Sequence, residues 1–237
     1  MVSFLDIFFP KRCLGCGKWG AYICHSCKKI MPLLPYLKCP VCEKPAIDGV
    51  THPKCKTKYS MDGLISFFRY DGIVKKAIKQ IKYRYVSSIT DDLVFYNALI
   101  HTSYIPYRKS IIVPIPLHSS RYRERGFNQA ESIANALGRK FCIPVQNDVL
   151  IRRKKTIPQV EMKDKEMRLA NMKDVFAMKN NFAIQRLARR NLSEGGFHDS
   201  VILLVDDVFT TGATLRSATT VLKHAGVKFV WGITVAQ

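Results

Sequence analysis

Val201 to Thr214 reads VILLVDDVFTTGAT: five apolar residues, two adjacent acids, then a short loop of Thr and Gly that opens a helix. An unbroken apolar run of this kind marks a strand buried on both faces, which occurs in parallel sheets covered on each side by helices. Such a strand delivers its loop to the carboxyl edge of the sheet, where open α/β folds bind their ligands. The backbone N–H groups of Thr210, Thr211, Gly212, Ala213 and Thr214, with a helix start behind them, make a cradle suited to a monophosphate. Gly212 lets the backbone approach that ligand closely. Asp206 and Asp207 at the strand tip are placed to accept hydrogen bonds from vicinal hydroxyls, as on a ribose, or to hold Mg²⁺ directly or through water. The plainer alternative is a capping Asp pair on a structural loop. No Lys-Ser or Lys-Thr follows the glycine, so this is not a Walker loop.

Working outward, short β-rich runs alternate with helical patterns. Ile111–Ile115, Val145–Ile151, Val175–Met178 and Phe229–Val235 read as further strands. Ile73–Tyr85 puts Val74, Ala77, Ile78, Ile81 and Tyr85 on one helical face and Lys75, Lys76, Lys79, Lys82 and Arg84 largely on the other. Asn128–Leu137 has helical spacing with Gly138 as its stop, and Thr214–Ala225 repeats the device ahead of Gly226. Cys142, beside Ile143, is expected in the core. This rhythm predicts an α/β fold with a mostly parallel sheet flanked by helices.

Upstream the composition changes. Seven of the eight cysteines lie between Cys13 and Cys55, mostly in CxxC pairs, in a stretch rich in Lys, Pro and Gly. With no secretion signal, that pattern points to metal rather than disulfides. Cys13 and Cys16, Cys24 and Cys27, Cys39 and Cys42, and finally His52 with Cys55 make four ligand pairs, enough for two tetrahedral zinc ions. Sequential and crossed pairing fit the spacings equally, and one ion with a decayed second site fits too. The chain is therefore expected to divide into a small zinc-binding domain over residues 1–58, where metal replaces a core, and an α/β domain over residues 59–237.

The 237 residues carry 38 Lys and Arg against 18 Asp and Glu, a formal charge of +20 that favours a polyanionic partner. No run of about 18 apolar residues is present to span a bilayer. Val2–Pro10 reads as a short amphipathic helix that docks on the body or touches a membrane surface. A cytoplasmic location is expected.

The segments LLVDDVFTTGAT, FFPKRCLGCG, VPIPLHSSRYRERGFNQAESIANALG and RRKKTIPQVEMKDKEMRLANMKDVF together cover most of the chain. The first resembles the 5-phosphoribosyl-1-pyrophosphate (PRPP) signature of type I phosphoribosyltransferases. All four together resemble the ComF (ComFC, GntX-like) competence proteins, which join an N-terminal zinc module to such a domain. The resemblance implies PRPP with Mg²⁺ as ligand, Asp206 and Asp207 on the ribose hydroxyls and in the catalytic position, and Thr210 to Thr214 on the 5-phosphate. It places a pyrophosphate loop at Pro114 and Ile115, with Arg121 and Arg125 following as phosphate ligands, and a mobile flap over Arg152–Asn171. No general base stands out among Asp206, Asp207 and Glu131. Lys179–Ser200 is longer than the family's usual connection, and no base-recognition segment is evident.

Three function classes follow. The resemblance implies a role in natural transformation, handling incoming single-stranded DNA beside a helicase-like ATPase, with peripheral membrane association as an extension. Cations interleaved with aromatics support it at Lys82, Tyr83 and Arg84, and around Arg123, with Arg152, Arg153, Lys154 and Lys155 as further phosphate contacts. The second class is an active phosphoribosyltransferase acting on an unidentified nucleobase. The third is a structural adaptor with a vestigial loop.

Overall fold

The structure, a computed structural model, describes residues 11–83, 87–97, 110–154, 175–179 and 201–237. Its centre is a four-stranded sheet of β1 (Gly63–Phe68), β2 (Ser110–Pro114), β5 (Val201–Val208) and β6 (Phe229–Ala236). The spatial order is β1-β6-β5-β2 and every pairing is parallel. The α/β reading of the sequence holds. β3 (Leu150–Arg152) and β4 (Phe176–Met178) form a separate antiparallel pair, with Arg152 opposite Phe176. The expected run at Val145 is a single parallel bridge to Ile112 rather than part of β3.

β5 shows why its apolar run is unbroken. Val201, Leu203 and Val205 enter one apolar cluster while Ile202 and Leu204 enter another, so both faces are buried. The first cluster lies under α2 (Gly72–Tyr83), α3 (Ser87–Asn97) and α5 (Gln129–Phe141). The second lies under α6 (Ala213–His224) and the β3–β4 pair.

α6 ends as the sequence predicts: Gly226 adopts φ 91°, and the Val227 N–H bonds Leu222 O at 3.1 Å. α5 does not end at Gly138. It continues to Phe141, and Cys142 takes the left-handed cap at φ 55°. Gly138 is glycine for another reason: a Cβ there would stand 2.5 Å from Val145 Cγ2 and 2.9 Å from Ile143 O. Cys142 is exposed, not core, because the capping turn carries it out of the helix face.

The cysteine-rich segment does not stand on metal alone. Cys13, Ile23, Cys27, Met31 and Leu37 join the same apolar cluster as Ile65, Phe67, Phe68 and Val74, beside the short helix α1 (His25–Lys29). Backbone bonds Leu34 N to Phe67 O and Arg69 N to Pro32 O run along the outer side of β1. They cover a sheet edge that would otherwise offer unpaired groups. The side chains of β1 are buried on the two faces of the sheet, Ile65 and Phe67 in one apolar cluster and Leu64 in the other. Among the described residues no helix is long and apolar enough to cross a membrane. Val2–Pro10 lies outside the described residues.

Candidate functional site

Two groups of thiols and one imidazole come together as two separate clusters: Cys13, Cys16, Cys24 and Cys27, and Cys39, Cys42, His52 and Cys55. The pairing is sequential, not crossed. Within each cluster the donor atoms all lie within 4.8 Å of one another. A tetrahedral ion bound at about 2.3 Å from sulfur spaces its ligand atoms by roughly 3.8 Å. Cys16 Sγ and Cys24 Sγ stand 3.6 Å apart, and Cys42 Sγ stands 3.3 Å from His52 Nδ1. His52 Nε2 lies 3.0 Å from Pro45 O and donates to it, which leaves Nδ1 bare and aimed at the cluster.

The thiols fit a cation chemically as well. Burial resists ionisation of Cys13, but N–H bonds from Cys24, Cys16 and Gly15 overcome it and bring the thiol down to about 6. Cys39, similarly opposed by burial and held by N–H groups of Cys42, His52 and Val41, comes down to about 7. Burial and then the neighbouring thiols push Cys27 up to about 12 and Cys55 up to about 11. The neighbouring thiols resist ionising together, and a bound zinc would supply the positive centre that lets them do so.

The second centre sits at the carboxyl edge of the sheet. β5 ends in Asp206 and Asp207, with the Asp207 N–H donating to Asp206 Oδ1 at 2.9 Å. Thr210 is exposed, Thr211 and Ala213 are buried, and Thr214 is half-buried. Gly212, the N-cap of α6, has φ 70°. A Cβ there would strike Phe209 Cζ at 2.4 Å, so both the dihedral and the packing demand glycine. The next loop along the edge is Pro114–Ile115, brought beside the acids by the Ile115 N–H bond to Val205 O. Asn128, buried, donates from Nδ2 to Ile115 O at 3.0 Å and accepts from Ala130 N through Oδ1, so it fixes that turn and starts α5 at once.

Cations converge on the acids. Lys82 Nζ lies 2.7 Å from Asp207 Oδ2, with the lysine side chain only 28% exposed. Burial works against its charge, yet Asp207 and Asp206 raise its pKa. Burial lowers that of Arg152, which feels Asp206 as attraction and Arg121 as repulsion. Burial and the Asp207 charge push Asp206 up to about 7, against the pull of Lys82 and Arg152. Lys82, Arg121, Arg152, Asp206, Asp207 and the loop are therefore one electrostatic unit. Lys82 does not share the solvent face of α2 with its neighbouring lysines.

Other expected residues have their own partners and exposure. Arg125 bonds Gln129 Oε1 at 3.1 Å, and Glu131 accepts from Asn147 at 2.6 Å. Tyr83, Tyr122, Arg123, Arg153 and Lys154 are exposed. Arg84, Lys155, most of the expected flap and residues 180–200 lie outside the described residues; the β3–β4 pair joins the described residues on either side of positions 155–174.

Comparison with known proteins agrees with the zinc centre. Residues 4–56 match the double zinc ribbon domain family. Competence protein F of Haemophilus influenzae is 29% identical over 95% of this chain and 97% of its own length. Over most of its length the chain is similar to proteins named for competence. Competence protein ComFC of Bacillus subtilis is 28% identical over 86% of this chain and 79% of its own, and the DNA utilization protein YhgH of Escherichia coli 26% identical over 92% and 90%. The chain thus carries a zinc ribbon followed by a parallel α/β sheet. One site residue, Arg216, had no signal in the sequence: its guanidinium leaves α6 for the ribbon, donating to Pro40 O at 2.8 Å and Val41 O at 3.2 Å.

Proposed function

We propose that this protein binds PRPP with Mg²⁺ at the β5 edge and handles single-stranded DNA during DNA uptake, in the cytoplasm. The names of its relatives support the DNA role, since they describe competence and DNA utilization over nearly the whole chain. The observation that carries the ligand is the acid pair at the tip of β5, followed by a loop whose Gly212 is in the left-handed region at a helix start and flanked by the Pro114–Ile115 turn. The loop's N–H groups suit a monophosphate and the carboxylates suit ribose hydroxyls or Mg²⁺. Arg121 and Arg152 supply the charge that a diphosphate needs. Tyr83 and Tyr122, exposed beside Lys82, Arg121 and Arg123, offer stacking faces to unpaired bases. A helicase-like ATPase of the uptake machinery is the partner that this role calls for.

Isothermal calorimetry with PRPP, with and without Mg²⁺, tests the ligand. Fluorescence anisotropy of labelled single strands against duplex, at two salt concentrations, tests the DNA role. Preference for single strands near physiological salt supports it; binding that vanishes there, or that treats duplex and single strand alike, overturns it, because a +20 chain attracts any DNA at low salt. A second reading is favoured by the convergence of cations on an intact acid pair. In it the anomeric C–O bond of PRPP breaks, pyrophosphate leaves, and a nucleobase nitrogen bonds the anomeric carbon. Base-dependent pyrophosphate release distinguishes that reading.

A further inference from the structure

The ribbon's second zinc cluster touches the body at one unusual place. Arg216 lies in the first turn of α6, where its own N–H bonds Gly212 O at 2.9 Å. Its side chain leaves the helix and meets the two carbonyls between Cys39 and Cys42: Pro40 O at 2.8 Å and Val41 O at 3.2 Å, with Glu43 Oε1 at 3.5 Å. Pro40 and Val41 are the two residues between the ligand thiols of Cys39 and Cys42, so both bonds fall on the turn that sets those thiols apart. On its other side, Arg216 Nε is packed so closely that a Cβ on Gly212 would come within 3.2 Å of it.

We propose that Arg216 is a positioning residue that makes the Cys39/Cys42/His52/Cys55 zinc site and the phosphate loop one thermodynamic unit. The phosphate half of this inference rests on the ligand reading given above. The guanidinium pins the Pro40 and Val41 carbonyls of the turn that carries Cys39 and Cys42, as outer partners of zinc ligands do. The same bonds hold the first turn of α6, and with it the loop's N–H groups, at a fixed place on the ribbon. A ligand that orders the loop then tightens the second zinc, and the second zinc tightens that ligand, by an equal factor. The Cys13/Cys16/Cys24/Cys27 cluster has no bond to Arg216 among the described residues and stays indifferent.

The test uses the full-length, zinc-loaded protein and a chromophoric chelator that reports the release of each zinc, with ribose 5-phosphate as the loop probe. In the wild type, saturating probe is expected to slow or weaken loss of one zinc by about 5-fold or more and to leave the other unchanged. Arg216→Met is expected to weaken that same zinc by about 10-fold or more and to abolish its response to the probe. Arg216→Lys, which reaches one carbonyl but not two, falls between. The untouched first zinc shows that the variants are folded. The proposal is overturned if both zincs ignore the probe in a protein that calorimetry shows to bind it, or if Arg216→Met keeps the response. A wild type that binds no ribose 5-phosphate refutes the phosphate reading and the coupling with it, while the zinc retention of Arg216→Met against wild type still decides whether Arg216 holds the knuckle.

Discussion

Replacing Lys82 by Met removes the cation nearest to the acid pair while keeping most of the side chain's packing. At 2.7 Å, opposite unit charges attract by about 1.5 kcal/mol in bulk water and about 6 kcal/mol at the effective dielectric of a protein site. The lysine side chain is 28% exposed and that of Asp207 10%, so the pair lies between a surface bridge and a buried one. Desolvation offsets part of the attraction. Losing the partner is expected to cost about 2–3 kcal/mol at pH 8.5, between the values typical of exposed and of fully buried pairs. The loss depends on pH with a fixed sign. Lys82 pulls the Asp206 carboxyl down from where burial and Asp207 push it, so without the lysine its pKa climbs above the present value of about 7. At pH 5.5 the Asp206 carboxyl is protonated with or without the lysine, so the variant leaves one unpaired carboxylate instead of two, and the penalty is smaller than at pH 8.5. Urea unfolding in the presence of zinc measures this, with Trp231 in β6 and Trp19 in the ribbon as fluorescent reporters of the two parts. Adding Asp207→Asn to Lys82→Met should restore stability at pH 8.5. Equal losses at pH 5.5 and 8.5, or no rescue by the second change, would refute the electrostatic argument and leave Lys82 as packing.

Asp206→Asn should raise stability at alkaline pH while destroying Mg²⁺-dependent PRPP binding. The folded carboxyl sits at about 7, above its unfolded value, so its contribution is full below about pH 4 and is lost as pH rises through 7. Three units amount to about 4 kcal/mol, and partial exposure halves that to about 2 at pH 8, with no gain near pH 4 in the same unfolding assay. Gly138→Ala should destabilise by about 1–3 kcal/mol although alanine is the better helix former, since the new methyl meets Val145 and Ile143 O; thermal unfolding of the two proteins decides. Metal analysis should find two zinc ions per chain, falling to one in His52→Ala, and a count of two in that variant would remove His52 from the ligand set.

Most of the fold was legible where one physical signal dominated. The β5 run VILLV is apolar at every position because both of its faces are covered, and no other element explains such a run. The ligand pairs of the ribbon announce themselves by spacing, but which pair joins which depends on how the turns stack, and that emerges only in three dimensions. Gly138 misled for a clear reason: a glycine at the end of an apolar pattern reads as a cap, and only the approach of Val145 reveals it as a contact. β1 went unread because it is a short edge strand, and the residues 32–34 that close its edge come from a distant segment. In the site, Asp206, Asp207 and the loop were readable from order along the chain. Lys82 was readable only as a DNA contact among neighbouring cations and aromatics, since its pairing with Asp207 leaves no local mark, and Arg216 looked like any helical arginine. Both draw their role from a partner far away in sequence.

The same comparison bears on the charge. Among the described residues Asp62, Asp91, Asp92, Asp207 and Glu43 each hold a Lys or Arg of the chain itself. If all 18 acids did so, 20 cations would still be left over, and the surface must be basic whatever the protein does. Attraction to DNA therefore says little by its presence and much by its dependence. Each phosphate neutralised on a single strand contributes about −0.7 to the slope of log affinity against log salt. A diffuse excess gives a slope that no one substitution changes, whereas a groove built on Arg123, Arg153 and Lys154 gives a slope that falls by about that amount with each one removed. Lys82 and Arg216 are different: their charges are already spent, one on the acid pair and one on the zinc knuckle, so removing either should change ligand or metal affinity and leave the DNA salt slope where it was.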